Sequence, residues 1–308
     1  MNFLKSSTIR GKLNIKFQNI GVIALEIVIG SASWRSHYGK FNKNLLSPFE
    51  MQKLLAKSFE LGIKDIDTAP SYGDCESKLG IINPIQKISS KLILSNQSNK
   101  QVEALILDIL DRIKRSKLDT LFIHNWDALD QVQKARFFSF MLKIREQGLF
   151  TNIGISTYEV KNLISLYSEL EAPVVIQINS SVIDQRLLLI LSEMQELKFN
   201  LRLHDIWVRS IFLQGVLLNN TDKNPFRSHP AIVKFFSFCQ VNNLEFLQVC
   251  LDYLKILDNF DCIKKAVIGI HDLDSLNQIN DYFTSPQLNL PYRNISSDDL
   301  ALIDPRNW

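Results

Sequence analysis

The chain has few of the features that mark secreted, membrane-spanning or metal-binding proteins. Only four of its 308 residues are cysteines, and they form no Cys-x-x-Cys pair. This usage predicts reduced thiols and argues against a disulfide framework or a zinc site. The longest apolar run, residues 20–30, is interrupted by Glu26 and is too short to span a bilayer. The first residues, MNFLKSSTIRGK, lack the apolar core of a signal peptide, so we expect a cytoplasmic location.

Patterns for binding nucleotides and nucleic acids are also scarce. Neither GxGxxG nor a P-loop motif occurs, which removes the usual sign of a dinucleotide-binding open sheet. The net charge is only +3 and the lysines are dispersed, so we expect no nucleic-acid partner. Hydrophobic residues make up 46% of the chain and charged residues 22%, as in ordinary globular proteins. No linker divides the sequence, which predicts a single domain over residues 1–308.

Short apolar segments alternate with longer segments whose apolar residues recur at helical spacing. We predict strands at residues 27–32, 64–68, 85–91, 120–124, 152–156, 174–179, 201–209 and 266–270. Helical patterns cover residues 48–61, 76–82, 100–114, 128–147, 159–170, 230–241 and 272–283. About eight strand–helix units in this length predict a closed (β/α)8 barrel rather than an open sheet. Alternating apolar residues at 12–28 predict an N-terminal β-hairpin before the barrel.

Four candidate functional residues fall at or just after predicted strand ends: Asp67, Tyr72, Lys91 and His124. The C-terminal ends of barrel strands converge on one face, so these side chains can meet. A tyrosine, with a pKa of about 10, is a weak acid at neutral pH, and a nearby lysine ammonium strengthens it. A carboxylate can hold that lysine, and a histidine can orient a carbonyl group and stabilise its developing charge. Together, these four residues could supply a phenolic general acid and the groups that support it.

Each of these residues also has an ordinary structural explanation when taken alone. Asp67 could cap a strand end, Tyr72 could anchor a loop, Lys91 could be solvated, and His124 could be a hydrogen-bonded core residue. Lys87 is an alternative to Lys91, since its even spacing keeps it on the same face of the strand.

Aromatic residues near the predicted barrel mouth add a hypothesis about substrate. Trp34, Tyr38 and Trp126 could form apolar walls for a sugar face or an aromatic aldehyde, or could equally pack within surface loops.

At these residues the chain resembles the aldo-keto reductase superfamily. DIDTAPSYGDCESKLG at 65–80 resembles the family signature around an aspartate and a tyrosine, and KLDTLFIHNWD at 117–127 is similar to the segment ending in the family's histidine. VIQINSSVIDQR at 175–186 and VRSIFLQGVLL at 208–218 resemble the sixth and seventh strand motifs. The resemblance covers the chain from about residue 27 to 283, which we take as the domain core.

The resemblance implies a barrel that binds a nicotinamide cofactor, usually NADPH, with NADH as the alternative, and a small-molecule carbonyl substrate. It implies that Tyr72 is the general acid, that Lys91 and Asp67 tune it, and that His124 orients the carbonyl group. It also implies three sets of cofactor contacts. The carboxamide is contacted by Ser156 and Gln177, and the pyrophosphate by Arg209, Ser210 and Gly215. The adenine is contacted by Ser275 and Gln278. The alternative function is a nicotinamide-binding sensor or partner-binding barrel with little turnover.

The sequence departs from the family pattern in two places that concern the cofactor. Thr157 stands where many members have asparagine, so one carboxamide contact is expected to be lost or replaced. Residues 268–280 lack the basic side chains that usually hold the adenosine 2′-phosphate. This second departure leaves the choice between NADPH and NADH open.

Overall fold

Parallel strands close into a barrel in which each strand pairs with the next and the last pairs with the first. The computed structural model describes residues 25–34, 46–170, 172–288 and 290–308. Within these residues the strands are β1 (Glu26–Gly30), β2 (Asp65–Asp67), β3 (Lys87–Leu92), β4 (Leu118–Ile123), β5 (Phe150–Thr157), β6 (Val175–Asn179), β7 (Asp205–Arg209) and β8 (Ile263–Gly269). The predicted (β/α)8 barrel is therefore confirmed.

Helices surround the barrel and connect its strands. They are α1 (Pro48–Glu60), α2 (Cys75–Ile82), α3 (Asn99–Arg112), α4 (Gln131–Arg145), α5 (Leu163–Glu169), α6 (Arg186–Glu196), α7 (Pro230–Val241), α8 (Phe246–Leu257), α9 (Leu273–Thr284) and α10 (Leu300–Ile303). Helix α1 begins at a capping box in which Ser47 and Glu50 satisfy each other's backbone N–H groups. No helix among the described residues is long and apolar enough to cross a membrane.

Side chains that alternate along each strand fill the barrel interior in layers. At the N-terminal end of the barrel, Lys265 forms an ion pair with Asp65 at 2.7 Å. A middle layer is apolar and includes the rings of Phe122 and Trp207, whose centroids are 5.4 Å apart. Above it, at the C-terminal ends of the strands, the interior becomes polar again. The apolar layer thus separates two charged layers.

Several predicted elements need correction. The strand predicted at 201–209 covers only Asp205–Arg209, because Leu201–Leu203 form a 3-10 turn. Helices α6 and α8 were not predicted. Helix α8 is buried continuously from Val249 to Leu257, and its polar residues Asp252 and Lys255 are buried with the apolar ones. The predicted hairpin at 12–28 lies outside the described residues up to position 24, and residues 26–28 belong to β1.

Gly154 on β5 makes room for the ring of Phe122. A Cβ atom at position 154 would lie 2.2 Å from Cδ1 of Phe122, closer than any real contact. We therefore expect Gly154→Ala to lower the free energy of unfolding by about 1–3 kcal/mol, measured by urea denaturation. The control is the double variant Gly154→Ala with Phe122→Leu, in which the smaller side chain should relieve part of the loss. Equal stability of Gly154→Ala and the wild type would contradict this account.

Candidate active site

A buried ion pair lies at the C-terminal mouth of the barrel. Asp67 ends β2, and Lys91 lies on the neighbouring β3, two residues after the position that pairs with Asp67. The Lys91 ammonium contacts Oδ2 of Asp67 and also donates to the carbonyl oxygen of Thr68 at 3.0 Å. The two side chains are only 1% and 4% exposed. Burial lowers the pKa of Lys91 from its ordinary value, while the charge of Asp67 opposes that shift.

Tyr72 lies beside this ion pair. A 3-10 turn, Pro70–Tyr72, follows β2, and Gly73 continues it with a φ of 69°, a conformation that favours glycine. The Lys91 nitrogen lies 5.1 Å from the centroid of the Tyr72 ring. The phenol is half-buried, so a ligand at the barrel mouth can approach it.

His124 completes the group from the end of β4. Its backbone N–H donates to the carbonyl oxygen of Leu92 at 2.7 Å, which holds the residue beside β3. Its ring centroid is 6.4 Å from that of Tyr72, with the two rings nearly perpendicular. Burial, with the positive charges of Lys91 and Arg209, lowers the pKa of His124 to about 3. The imidazole is therefore neutral near pH 7 and is available as a hydrogen-bonding group.

Two amide side chains occupy the interior face of β6. The Nε2 of Gln177 donates to Oδ1 of Asp67 at 3.0 Å, so it is tied to the ion pair. Its Oε1 is buried and has no hydrogen-bond partner among the described residues. Asn179 accepts from the hydroxyl of Ser210 at 3.3 Å through Oδ1, and its Nδ2 is likewise buried without a partner. Unpaired buried polar atoms are uncommon, and they indicate a place for a polar ligand.

Arg209 ends β7 and lies close to the same centre. Its guanidinium donates to the carbonyl oxygen of Thr157 at 3.3 Å and to Oγ of Ser156 at 3.5 Å. It lies 4.0 Å from the ring centroid of Tyr158, and the guanidinium of Arg306 lies 4.2 Å from the same centroid. The Tyr158 ring therefore contacts both guanidinium groups.

The loop after β7 has an unusual backbone. Ser210, Leu213 and Gln214 have φ values of 63°, 45° and 52°, and Gly215 has 91°. Side chains other than glycine rarely adopt this left-handed region, and such outliers cluster at ligand-binding sites. The loop therefore carries local strain at the barrel mouth.

Helix α9 begins just after β8 at the same mouth. The hydroxyl of Ser275 accepts from the backbone N–H of Asp272 at 3.1 Å and donates to the carbonyl oxygen of that residue, within a capping box. Gln278 is exposed on the same helix. The Ser275 hydroxyl is therefore engaged in the helix cap, and the Gln278 side chain is accessible.

Comparison with known proteins identifies the family. The model of the Aldo/keto reductase family matches residues 26–297. The chain belongs to this family. A methylglyoxal reductase from Yersinia pestis is 28% identical over 112 residues, which are 34% of this chain and 42% of that protein. An aldo-keto reductase from Mycobacterium avium is 29% identical over 140 residues, which are 43% of this chain and 49% of that protein.

The chain thus aligns with less than half the length of these curated relatives. Among solved structures, an aldo-keto reductase from Bacillus halodurans matches with a TM-score of 0.68 at 13% identity. That match covers 92% of this chain and 95% of the other, and it supports the shared fold.

The geometry distinguishes between residues that the sequence left as alternatives. The partner of Asp67 in this aldo/keto reductase barrel is Lys91, whereas the Lys87 side chain is 66% exposed and lies 3.9 Å from Asp119. Trp34 is fully buried and donates from its indole N–H to the carbonyl oxygen of Ile270 at 2.8 Å.

Trp126 is also buried, so neither tryptophan forms an exposed wall at the barrel mouth. Tyr38 lies outside the described residues.

Sequence reasoning missed two residues of the site. Asn179 follows Gln177 by two positions, and that even spacing could have placed it on the interior face. Asp127 was not detectable in this way, because its partners come from another strand. Its Oδ1 accepts from the hydroxyl of Thr157 at 2.6 Å, and its Oδ2 accepts from the backbone N–H of Tyr158 at 2.8 Å. Thr157, which stands where many family members have asparagine, therefore has a structural role through its hydrogen bond to Asp127.

The low pKa of His124 predicts a pH effect on stability. Between about pH 6.5 and 3 the unfolded chain binds a proton at this imidazole and the folded chain does not, so stability falls as the pH is lowered through that window. We expect His124→Gln to reduce the slope of unfolding free energy against pH by up to about 1.4 kcal/mol per pH unit there.

Denaturant unfolding at several pH values between 4 and 7 measures this slope. His229→Gln is the matched control, because it removes an imidazole from the start of α7 instead. A wild-type slope reproduced by His124→Gln would disprove the effect.

Proposed function

We propose that this chain reduces an aldehyde or ketone to an alcohol with a nicotinamide cofactor, as a single barrel domain over residues 1–308. The observation that carries the proposal is the buried Lys91–Asp67 ion pair beside the Tyr72 ring, with a neutral His124 facing that ring. A purely structural barrel does not need a desolvated ammonium next to a half-exposed phenol. Membership of the aldo/keto reductase family supports the same reaction class.

Tyr72 is the proton donor in this proposal. When the carbonyl group is reduced, its oxygen gains negative charge and takes the phenolic proton. The Lys91 ammonium then stabilises the phenolate that remains, and Asp67 holds the ammonium in place. The low pKa of His124 supports this assignment, because an imidazole that is neutral at pH 7 is too weak an acid to give up its remaining N–H proton.

His124 orients the substrate. A neutral imidazole can donate one hydrogen bond, and its position across from Tyr72 suits donation to the same carbonyl oxygen. Two donors from different strands would fix that oxygen and stabilise the charge it develops.

The residues around the centre suit a nicotinamide cofactor, which would supply the hydride. The unpaired Oε1 of Gln177 can accept from a carboxamide NH2, and Ser156 can contact the same group. Arg209, Ser210 and Gly215 would contact the pyrophosphate from the end of β7 and the strained loop that follows it. Ser275 and Gln278 would contact the adenine, with Ser275 limited by its role in the helix cap.

Similar proteins suggest the class of substrate to test first. One relative is named a methylglyoxal reductase, and a structural neighbour from Gluconobacter oxydans is named a glycerol dehydrogenase. Both names concern small oxygenated compounds, so we propose small hydroxylated or sugar-like carbonyl compounds for this chain.

We expect Tyr72→Phe to lower kcat by about 100-fold to 10,000-fold, because the variant lacks the proton donor. Its affinity for the cofactor should stay close to that of the wild type. Steady-state kinetics with a panel of small aldehydes, together with cofactor titration, measures both quantities. Tyr167→Phe is the matched control: this phenol donates to the carbonyl oxygen of His204 away from the site, so kcat should be retained.

Undiminished turnover in Tyr72→Phe would contradict the assignment of Tyr72 as the proton donor. Cofactor binding by the wild type without turnover of any carbonyl compound would favour the alternative, a nicotinamide-binding sensor or partner-binding barrel.

The start of α9 predicts weak discrimination between cofactors. Residues 268–280 contain no lysine or arginine, and Asp272 and Asp274 stand at the beginning of the helix. A 2′-phosphate needs cationic donors, so we expect NADPH and NADH to bind with dissociation constants within about tenfold of each other. Quenching of tryptophan fluorescence measures both constants. A preference for NADPH above about 100-fold would show that a cation elsewhere in the chain reaches the phosphate.

A further inference from the structure

The interior face of β6 carries two buried amides that each have one unpaired polar atom. Gln177 is fully buried and Asn179 is 1% exposed, and they are two residues apart on the same strand. Oε1 of Gln177 and Nδ2 of Asn179 have no hydrogen-bond partner in the part of the chain that the structure describes. The two atoms differ in kind, since one is an acceptor and the other a donor.

The carboxylate of Asp67 fixes which end of the Gln177 amide is unpaired. Nε2 of Gln177 donates to that carboxylate, and an amide turned the other way would set oxygen against oxygen. For Asn179 the neighbour is a hydroxyl, which can donate or accept, and in the structure the Ser210 hydroxyl donates to Oδ1. With these hydrogen bonds, the free atoms are an oxygen at position 177 and an NH2 group at position 179.

Thr157, at the end of the neighbouring β5, is already engaged. The hydroxyl of Thr157 donates to Asp127 at 2.6 Å and accepts from the backbone N–H of Glu159 at 3.0 Å. It therefore has no donor left for a ligand. Asn179 is a buried side chain on the neighbouring β6 that keeps a donor available.

We propose that Asn179 positions the carboxamide of the nicotinamide ring, with its Nδ2 donating to the carboxamide oxygen while Oε1 of Gln177 accepts from the carboxamide NH2. This inference rests on the proposed function. A donor and an acceptor on one strand bind a primary amide in a single orientation. Holding the amide in that orientation fixes the rotation of the ring, and so the face that it turns toward Tyr72 and His124.

An analogue of the cofactor separates the two contacts. The 3-acetylpyridine form of the cofactor keeps the carbonyl oxygen but has a methyl group in place of the NH2. In the wild type we expect it to bind about tenfold more weakly than the nicotinamide form, because Oε1 of Gln177 stays unpaired. Calorimetric titration of NADH and of reduced 3-acetylpyridine adenine dinucleotide gives the two dissociation constants and their ratio.

Variants at position 179 then test the donor. Asn179→Ala should weaken the binding of both forms by about tenfold and leave their ratio unchanged, since both forms keep the oxygen. Asn179→Asp keeps the acceptor for Ser210 and replaces the donor by an acceptor. This variant should weaken the binding of the 3-acetylpyridine form more than that of the nicotinamide form. The ratio of their dissociation constants should therefore rise. A merely structural role for Asn179 would not move this ratio.

Asn152→Ala is the matched control. This asparagine lies on β5 at the opposite end of the barrel, where Nδ2 has a 3.5 Å contact with Thr120. Its truncation should leave both dissociation constants unchanged. Thermal unfolding without cofactor checks that each variant is folded, and Asn179→Asp serves if Asn179→Ala fails to fold.

Three results would overturn the inference. If Asn179→Ala binds both forms within twofold of the wild type, Asn179 makes no carboxamide contact, while the proposed function stands. If that variant instead brings the ratio to one, Asn179 contacts the NH2 group and not the oxygen. If the wild type binds neither form, the proposed function itself fails and this inference fails with it.

Discussion

The ion pair between Lys91 and Asp67 is the interaction on which the rest of the site depends. Either charge alone in this interior would lose its hydration without compensation, so each stabilises the charged form of the other. The remaining hydrogen-bonding capacity is also used, since Asp67 accepts from Gln177 and Lys91 donates to the Thr68 carbonyl oxygen. The pair therefore orients Gln177 and sets a positive charge against the Tyr72 ring. In the proposed function, proton donation and recognition of the carboxamide both depend on this ion pair.

Most of the barrel could be predicted from the sequence because its strands and helices differ in length and period. Strands buried on both sides read as short apolar runs, and the longer helical patterns between them leave a parallel sheet as the ordinary solution. The prediction missed α8, although Gln248, Asp252 and Lys255 recur in it at helical spacing, so the period itself was present in the sequence. The turn before β7 was taken as strand because its leucines continue an apolar run.

The site was predictable where it depends on strand ends and unpredictable where it depends on contacts between strands. Spacing alone kept Lys87 and Lys91 as alternatives, because both lie on one face of β3. The register sets Asp67 opposite Ser89, midway between them, and the contact of Lys91 with Asp67 decides, since Lys87 is exposed near Asp119. In the same way, sequence cannot tell whether a loop aromatic such as Trp34 turns toward solvent or toward the core. Which amide atoms remain unpaired is likewise a property of the folded interior alone.

The closure of the barrel through β1 and β8 has a consequence for how the chain is made. These strands pair residue by residue, Glu26 with Lys265 through to Gly30 with Gly269, although most of the sequence separates them. Synthesis at roughly 5–20 residues per second separates their emergence by about 10–50 s. Throughout that interval the edge of β1 has no β8 to pair with, and the open barrel leaves its apolar layer accessible to water. Nascent chains of this protein therefore pass through a long stage in which an unpaired strand edge can associate with other chains.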